Sequence, residues 1–488
     1  MKRQQSLVMQ IDTLYQQLAN DFALAISHGS LPPGSRLPSV RKTAQSRRLS
    51  LNTVLTAYRM LEDRGLVVAR PQSGYYVRSH LPMLPTGKVG AAPSSAQGPA
   101  GEVLDLIGAA LLAQQTPGYI NLALACPKGG DFYPSNKLAR IMGQVLRQNP
   151  GMVSSYALPP GSERLRTQIA RRSVELGMSL QAENIVLTHG CMEALQLSLR
   201  AICVHGDAVG IESPTYFNLL PLFSSLGLKA VEIPTDPQTG MSLDALEQLL
   251  VDGQLQAIVA MPNVHNPLGC SMPLENKRRL AGLLKRYEVP LIEDALYAEL
   301  QFAEAFSPAV KAFDEEGWVL ICASYTKTLA PDFRIGWVEG GRFTEQIRKL
   351  KFSYSVAESL VLSETLGLFL ESGGYDHHLR QLKRRYAIQV DKVRALIAEH
   401  FPQGTSATQP AGGFLFWVEL PASCDSVKLF HRAIAEKISI SPGPLYSPSG
   451  RHTSALRLSC CQPLDESYIQ ALVRLGEMAQ DIMDEALC

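Results

Sequence analysis

The chain has 488 residues, of which 46% are hydrophobic and 19% charged; this is enough for about three domains at roughly 150 residues each and excludes wholesale disorder. Its formal net charge of +1 hides an uneven distribution. Residues 1–80 carry 11 Lys/Arg and 4 Asp/Glu, a net of +7, whereas the remaining 408 residues carry a net of −6. This asymmetry predicts a basic N-terminal module that binds nucleic acid or another anionic surface, and an acidic body with a different partner.

Apolar, cysteine and histidine patterns exclude further classes. The longest uncharged stretch, 106–127, is interrupted by Gln, Thr, Pro and Gly, so it does not predict a membrane span. Asp12 interrupts any signal-peptide core near the N-terminus. The nine cysteines form no C-x-x-C pair and the ten histidines show no metal-ligand spacing, which argues against disulfides and metal sites. A reducing, cytoplasmic location is therefore predicted.

The first 80 residues predict a winged helix-turn-helix. Apolar residues at helical spacing predict an amphipathic helix over 13–28. Ser39 and Ser50 can each cap a following helix, and the runs 67–69 and 75–77 flank a turn that contains Pro and Gly. Three short helices followed by a β-hairpin match this fold, in which the third helix enters the DNA major groove.

A change of composition near residue 80 predicts a domain boundary. Residues 80–101 contain four prolines, four glycines and one charged residue, Lys88, and they show no apolar period. This composition is typical of a flexible linker. The sequence therefore predicts a DNA-binding domain over 1–79, a linker over 80–103 and a body over 104–488.

The body alternates short apolar runs with amphipathic segments, which predicts an α/β domain with a mostly parallel sheet. The apolar runs are 185–187, 208–211, 230–233, 257–261, 290–292 and 319–323. The helical segments between them include 193–202, 243–250 and 275–287. Near the C-terminus the pattern changes to a long helix over 379–400 and two strands, 414–420 and 456–459. This change predicts a small α+β lobe over about 381–488.

The N-terminal residues also resemble a known family. Residues 37–41 read LPSVR, 52–54 read NTV, 57–58 read AY and 73–74 read SG. In this order and spacing they resemble the DNA-binding domain of GntR-type regulators. The resemblance implies DNA contacts by seven residues: Arg36, Ser39, Arg41, Ser50, Asn52, Thr53 and Gly74. Any single arginine of this module can instead belong to a solvated surface.

Several segments of the body place polar groups directly after apolar runs, where α/β folds bind ligands. Residues 324–327 read SYTK, Asp294 ends the preceding run, 263–269 read NVHNPLG, and 188–195 read THGCMEAL at the start of a helix. Backbone amides at such a helix start can hold a phosphate. With the RIGW segment at 334–337, these residues resemble fold-type I pyridoxal-phosphate (PLP) enzymes of the aminotransferase kind.

The resemblance assigns a role to each residue. Lys327 would form the Schiff base with PLP, and Asp294 would pair with the pyridine nitrogen so that the ring acts as an electron sink. Asn266 and Tyr297 would hydrogen-bond the phenolic oxygen of the ring, and Tyr216 would stack on its face. The residues expected to hold the phosphate are Gly190, Cys191, Met192, Ser324 and Arg334.

The same resemblance gives roles to two residues outside these segments. Arg457 would bind the α-carboxylate of an amino acid, and Tyr156 would reach the phosphate of the neighbouring subunit, which implies a homodimer. Taken singly, several of these side chains have simpler interpretations: Asp294 as a helix N-cap, Tyr216 as a core aromatic, Arg457 as an ion-pair partner, and residues 266–267 as an ordinary turn.

A GntR-type head, a linker and an aminotransferase-like body together resemble the MocR subfamily of bacterial transcription regulators. The first hypothesis is therefore a homodimeric regulator that binds specific promoter DNA and senses PLP, with or without an amino acid. The alternative is a working PLP-dependent aminotransferase, which moves an amino group from an amino acid to a 2-oxo acid, with an accessory DNA-binding head. A third hypothesis, non-specific nucleic-acid binding, predicts steep salt dependence without sequence preference.

Overall fold

The computed structural model describes residues 13–27, 30–32, 34–63, 66–70, 73–77, 101–127 and 132–487. The predicted linker lies outside the described residues up to position 100, and its last three positions belong to a helix. The described residues form two compact units. The head contains those up to residue 77 together with 388–399, and the body contains those from 101 to 387 and from 400 onward.

The N-terminal part of the head, up to residue 77, has three helices and a two-stranded antiparallel hairpin, as predicted. These elements are α1 (Leu14–Ser27), α2 (Val40–Arg47), α3 (Leu51–Asp63), β1 (Val67–Arg70) and β2 (Gly74–Val77). The Ser39 hydroxyl accepts from the Lys42 N–H at 3.2 Å, and the Ser50 hydroxyl accepts from the Thr53 N–H at 3.0 Å. Both predicted helix caps are therefore confirmed.

A buried tyrosine fixes the third helix of the head against the second. The Tyr58 side chain is fully buried, and its hydroxyl donates to the Pro38 carbonyl at 2.8 Å and lies 2.8 Å from the Thr43 hydroxyl. The rings of Phe22 and Tyr75 pack edge-on against it, with centroids 5.5 and 5.2 Å away. Helix α3 is thus held by contacts to α1, to the hairpin and to the segment that enters α2, which leaves its opposite face exposed.

The body contains twelve further helices and fourteen further strands among its described residues. The helices are α4 (Gly101–Gln115), α5 (Ser135–Gln148), α6 (Glu163–Ser173), α7 (Cys191–Ile202), α8 (Leu219–Leu226), α9 (Leu243–Val251), α10 (Leu274–Tyr287), α11 (Thr344–Tyr354), α12 (Leu360–Glu371), α13 (Gly374–His400), α14 (Ser426–Ala435) and α15 (Glu466–Leu487). The strands are β3 (Ile120–Asn121), β4 (Ile185–His189), β5 (Ala208–Ser213), β6 (Lys229–Asp236), β7 (Gly240–Met241), β8 (Ala257–Ala260), β9 (Leu291–Asp294), β10 (Val319–Ser324), β11 (Ile335–Glu339), β12 (Ser406–Ala407), β13 (Leu415–Glu419), β14 (Ile438–Ser439), β15 (Ser441–Pro442) and β16 (Ala455–Ser459). Helix α13 contributes residues 388–399 to the head unit.

One eight-stranded sheet organises the body. Its order is β4-β11-β10-β9-β8-β5-β6-β7, and the pairs from β10 through β6 are parallel. Strand β11 runs antiparallel to both neighbours, and β7 runs antiparallel to β6. The predicted α/β domain with a mostly parallel sheet is therefore confirmed. The central strands β8 and β9 are buried throughout, as expected for a sheet with helices on both faces.

A second sheet lies in the C-terminal part of the body. Its four strands follow the order β12-β13-β16-β15, and all of its pairs are antiparallel. The short strands β14 and β3 form a separate parallel pair. Within the described ranges, no helix combines the length and the low charge needed to cross a membrane.

Candidate functional site

The carboxyl ends of neighbouring strands bring the predicted cofactor residues together. Strand β9 ends at Asp294 and β10 ends at Ser324, and the two strands run parallel with Asp294 opposite Cys322. Lys327 follows three residues after the end of β10, and Gly190 follows β4 at the same edge of the sheet. This edge is where open α/β sheets bind their ligands.

The surroundings of Lys327 favour its neutral amine. Burial lowers the pKa of this ammonium group, because the charged form loses its hydration. The nearby guanidinium groups of Arg457 and Arg334 act in the same direction, whereas the thiols of Cys126 and Cys461 oppose it. A neutral amine is the form that attacks an aldehyde carbon, so the environment suits the predicted covalent role.

Asp294 is a buried carboxyl group held by two donors. Its Oδ1 accepts from the Leu296 N–H at 2.9 Å and from the Cys191 thiol at 3.4 Å. The net pKa of Asp294 is raised to about 6. Burial and the charge of Glu212 raise it, and the hydrogen bonds from Leu296 and Cys191 lower it. Such a carboxylate is stabilised by a cationic partner, and a protonated pyridine nitrogen is one.

The start of α7 forms a cradle beside an arginine. Gly190 precedes the helix with a φ of 77°, and a Cβ at this position would lie 2.8 Å from Nη2 of Arg334. Glycine therefore satisfies both the left-handed backbone and the close approach. A guanidinium beside the free N–H groups of a helix start suits a phosphate. Cys191 and Met192 lie in this first turn, and Ser324 is buried at the end of β10.

Arg457 on β16 is fully buried and incompletely paired. Its Nη1 donates to Asn266 Oδ1 at 3.1 Å and its Nη2 donates to the Ala123 carbonyl at 2.7 Å. Its Nε has no hydrogen-bond partner among the described residues. The rings of Phe217 and Tyr446 lie 5.6 and 5.4 Å from the guanidinium carbon. A buried guanidinium with an unpartnered N–H is suited to receive a carboxylate.

Two tyrosines belong to the same cluster and remain neutral. Tyr297 is buried, and its ring packs edge-on against Phe414 with centroids 5.7 Å apart. The Tyr216 hydroxyl accepts from Asn218 Nδ2 at 2.8 Å. Burial raises the pKa of Tyr216 to about 12 and the pKa of Tyr297 well above its ordinary value. Both phenols therefore keep their protons near neutral pH and can donate hydrogen bonds.

A buried acid–histidine pair lies behind these residues, and the sequence analysis missed it. Glu212 Oε2 and His265 Nε2 are 3.2 Å apart. Together with Tyr216, Asn266 and Asp294 they line a small pocket. His265 directly precedes Asn266, so its position in the NVHNPLG segment was an available signal. Glu212 begins the segment 212–216, ESPTY, that carries Tyr216, but only the packing of β5 against β8 shows that it lies here.

Tyr156 does not join this cluster in the described part of the chain. Its side chain is 79% exposed and lines a groove between residues 152–157 and 355–361. A side chain that serves the phosphate of another subunit has to be exposed on its own subunit. The predicted role of Tyr156 therefore stays a prediction.

A group of acidic and histidine side chains near this groove has the spacing of a metal site. His189, Glu193 and Glu358 offer ligand atoms within 4.8 Å of one another. The ammonium of Lys351 lies among them, 2.8 Å from Glu193 Oε2 and in contact with Glu358. A lysine cation therefore already supplies the positive charge that balances these carboxylates.

The predicted DNA-contact residues lie at the surface of the head. Those exposed are Arg36, Ser39, Arg41, Ser50, Asn52 and Gly74, and Thr53 is half-buried. The guanidinium carbon of Arg36 lies 6.0 Å from the centroid of the Tyr76 ring. Gly74 has a φ of 108°, and a Cβ there would lie 3.5 Å from Arg36 Nε. The arginine thus lies against the hairpin that forms the wing.

Comparisons with known proteins identify both parts of the chain. The family model "Aminotransferase class I and II" matches residues 126–475, and the model "Bacterial regulatory proteins, gntR family" matches residues 12–77. The HTH-type transcriptional regulator YjiR of Escherichia coli (strain K12) is 35% identical over 477 residues, which cover 97% of this chain and 100% of YjiR. The chain belongs to the GntR-type transcription regulators of the MocR architecture.

Solved structures resemble the body of this MocR-type regulator. The multiple substrate aminotransferase of Thermococcus profundus has a TM-score of 0.72 and 26% identity, covering 79% of this chain and 96% of that enzyme. The kynurenine aminotransferase of Pyrococcus horikoshii, solved in complex with PMP, has a TM-score of 0.71 and 26% identity, covering 78% of this chain and 95% of that enzyme. The fold-type I aminotransferase architecture is therefore shown, and it implies PLP as the cofactor.

The glycine cradle of the MocR-type regulator allows a first test. In Gly190→Ala the new methyl group displaces Arg334, so we expect PLP affinity to fall about 10- to 100-fold, the range of one or two charge-assisted hydrogen bonds. Titration of the purified protein with PLP, followed by absorbance, measures this change. Gly282→Ala on α10 is the matched control, because a Cβ there meets no atom within 4 Å. Equal affinity of both variants would contradict the cradle.

Proposed function

We propose that this regulator is a homodimer that binds PLP in its body and changes its DNA binding in response. The observation that carries the proposal has two parts. Lys327 and Asp294 lie at the carboxyl ends of neighbouring strands of the large sheet, and Arg457 of β16 contacts Asn266 and acts on Lys327. The same chain carries a GntR-type head. Burial of each of these three ionisable groups has a desolvation cost, which stays uncompensated if the body binds no ligand. A ligand with complementary charges offsets that cost.

The residues of the site fit PLP group by group. The amine of Lys327, whose pKa is lowered by burial, would bond to the cofactor, and Asp294 would hold a proton on the ring nitrogen. Asn266 and Tyr297 would donate to the phenolic oxygen, and Tyr216 would cover the ring. The phosphate would contact Gly190, Cys191, Met192, Ser324 and Arg334. PLP, when bound, supplies an electrophilic carbon and an electron sink.

An amino acid is the proposed second ligand, bound through Arg457. Two of the guanidinium nitrogens already donate to Asn266 and Ala123, so the carboxylate would be received at the edge that includes the unpartnered Nε. Because the Asn266 amide oxygen is engaged by Arg457, the same asparagine links the carboxylate and the ring oxygen. Arg457 thus selects α-carboxylates, and the α-amino group is then held toward the cofactor carbon.

We propose a homodimer because the Tyr156 side chain is exposed on its own subunit. Tyr156 lies on a loop whose neighbours Val153 and Leu158 are also largely exposed, and an exposed apolar group of this kind marks an interface. A second copy would cover the loop, and Tyr156 would complete the phosphate site of that copy. Two heads would then face two half-sites of one operator.

A ligand changes DNA binding only if it has different affinities for two arrangements of the protein. PLP and the amino acid contact residues from both sheets of the body, since Arg457 lies on β16 and Lys327 follows β10. Ligand binding therefore favours the arrangement in which β16 and the edge of the large sheet are closest. We propose that this arrangement sets the spacing of the two heads on DNA.

Measurement of DNA affinity with and without PLP tests the proposal. With duplexes from the intergenic region beside the gene, we expect PLP to change the dissociation constant about 5- to 150-fold, the range of typical allosteric couplings. Lys327→Ala should bind the same DNA but lose this response, together with the absorbance band of the lysine-bound cofactor. Lys311→Ala, a different lysine near β10, should keep that absorbance band.

Two results would overturn the proposal. If Lys327→Ala keeps both the absorbance band and the response to PLP, the cofactor does not act through this site. If the wild type binds the DNA equally with and without PLP, the body does not sense the cofactor. The aminotransferase alternative rests on the presence of the same three groups, and sustained transamination of amino acids with 2-oxoglutarate would favour it.

Mixed dimers test the proposed role of Tyr156. Tyr156→Phe removes the hydroxyl that reaches the partner, and Lys327→Ala removes the covalent anchor. In a heterodimer of the two variants, one site combines Lys327 with an intact Tyr156 and the other lacks both. We therefore expect mixing to restore one high-affinity PLP site per dimer, measured by titration. Failure of mixing to restore any site would show that each subunit uses its own tyrosine.

A further inference from the structure

Glu212 is a buried acid without a lysine or arginine partner in the described part of the chain. It lies near the end of β5 and is 3% exposed. Its Oε2 accepts from the Met261 N–H at 2.7 Å and lies 3.2 Å from His265 Nε2. A buried carboxylate costs free energy unless a partner compensates its charge. The charge of Glu212 is therefore a feature that the packing of β5 does not explain.

His265 leaves this charge in place because its own ring is neutral. The Leu268 N–H donates to His265 Nδ1 at 3.2 Å, so Nδ1 is an acceptor and carries no proton. The single ring proton is therefore on Nε2, which donates to Glu212. A neutral histidine that donates to a carboxylate orients it without cancelling its charge. The acid–histidine pair formed by Glu212 and His265 thus keeps one negative charge.

The negative charge of this pair acts on Asp294. Both carboxyl groups line the same small pocket, and Asp294 is 2% exposed. Burial raises the pKa of Asp294 most, and the charge of Glu212 raises it further, because neighbouring carboxylates repel each other. Burial lowers the pKa of the Lys327 ammonium group, so this lysine is a weak source of compensating charge. The two acids together therefore favour a cation placed against Asp294.

Hydrogen bonds fix the position of the acid–histidine pair. The Gly269 N–H donates to the His265 carbonyl at 2.6 Å, and the His265 N–H donates to the Cys270 carbonyl at 2.8 Å. Both ring nitrogens of His265 are engaged as well. Glu212 lies on β5, which is paired with β6 on one side and β8 on the other. A charge held in this way stabilises a cation without a cost of reorganisation.

We propose that Glu212 is a positioning residue, which acts through Asp294 to hold the proton on the ring nitrogen of bound PLP. Asp294 would contact the nitrogen, and the acid–histidine pair would supply a second negative charge behind it. The protonated nitrogen is the form that makes the ring an electron sink. The inference rests on PLP binding at Lys327 as proposed above, and it adds this pair to that site. The alternative is a purely structural role, since Glu212 also accepts from the Met261 N–H.

A double-mutant cycle on PLP affinity separates the two roles. Glu212→Gln keeps the shape and removes the charge, and we expect it to weaken PLP binding about tenfold, the effect of one pKa unit at the ring nitrogen. Asp294→Asn provides an amide that can donate to an unprotonated nitrogen. In that background there is no ring proton to hold, so Glu212→Gln should weaken PLP binding less than about twofold. Titration of the full-length protein with PLP, followed by absorbance, gives the four dissociation constants.

Two further variants control for charge and for burial. Glu212→Asp keeps the charge, so it should lose less PLP affinity than Glu212→Gln although its side chain is shorter. Glu232→Gln on the adjacent strand β6 is the matched control. Glu232 is also buried, but it accepts from Ser213 Oγ and lies 3.8 Å from Arg451 Nε, so its charge is compensated and this variant should bind PLP as the wild type does. Unchanged circular dichroism verifies that the variants are folded.

Two outcomes would overturn the inference and leave the proposed function standing, because PLP would still bind through Lys327. If Glu212→Gln weakens PLP binding by the same factor in the wild type and in Asp294→Asn, the acid–histidine pair has only a structural role. If Glu212→Gln binds PLP as tightly as the wild type does, its charge does not act on the cofactor. Absence of PLP binding by the wild type, or an absorbance band that persists in Lys327→Ala, would instead overturn the proposed function and the inference with it.

Discussion

Burial of charged groups where the edge of the large sheet meets strand β16 of the second sheet is the constraint on which the rest of the body depends. Arg457 is fully buried and Asp294 is 2% exposed, and an unpaired buried charge costs several kcal/mol. The chain meets this cost in three ways. Asp294 accepts two hydrogen bonds, Arg457 donates two while its Nε has no partner among the described residues, and burial lowers the pKa of Lys327, which favours its neutral amine. We propose that PLP and an amino acid supply the remaining partners of these three groups.

In the head, a buried polar group likewise determines how the elements pack. Its core is small, and the buried hydroxyl of Tyr58 connects α3 to the segment before α2 while two aromatic rings pack around it. This fixes which face of α3 remains exposed. The uneven charge of the chain follows from this division, because the basic side chains lie with the module that meets phosphates and the acidic excess lies in the body.

Local pattern was enough to predict much of the fold and of the site. Apolar runs predicted the central strands and serine caps predicted the starts of α2 and α3, whereas the roles of Lys327 and Asp294 came from the resemblance to fold-type I enzymes and stay predictions. Features that depend on non-local pairing were missed. Strand β11 is antiparallel between β4 and β10, which no local signal reveals. Cys126 and Cys461 lie near Lys327, and the Leu124 carbonyl accepts from the Cys461 thiol. These contacts join segments far apart in sequence.

The central proposal is that PLP binding in the body and DNA binding by the head are energetically coupled. Coupling of this kind is reciprocal, so operator DNA must change the affinity for PLP by the same factor by which PLP changes the affinity for DNA. The most direct measurement is a PLP titration of the full-length protein with and without saturating operator duplex. We expect the PLP dissociation constant to shift by the same factor and in the same direction as the DNA dissociation constant. Identical PLP titrations in the two conditions would contradict it.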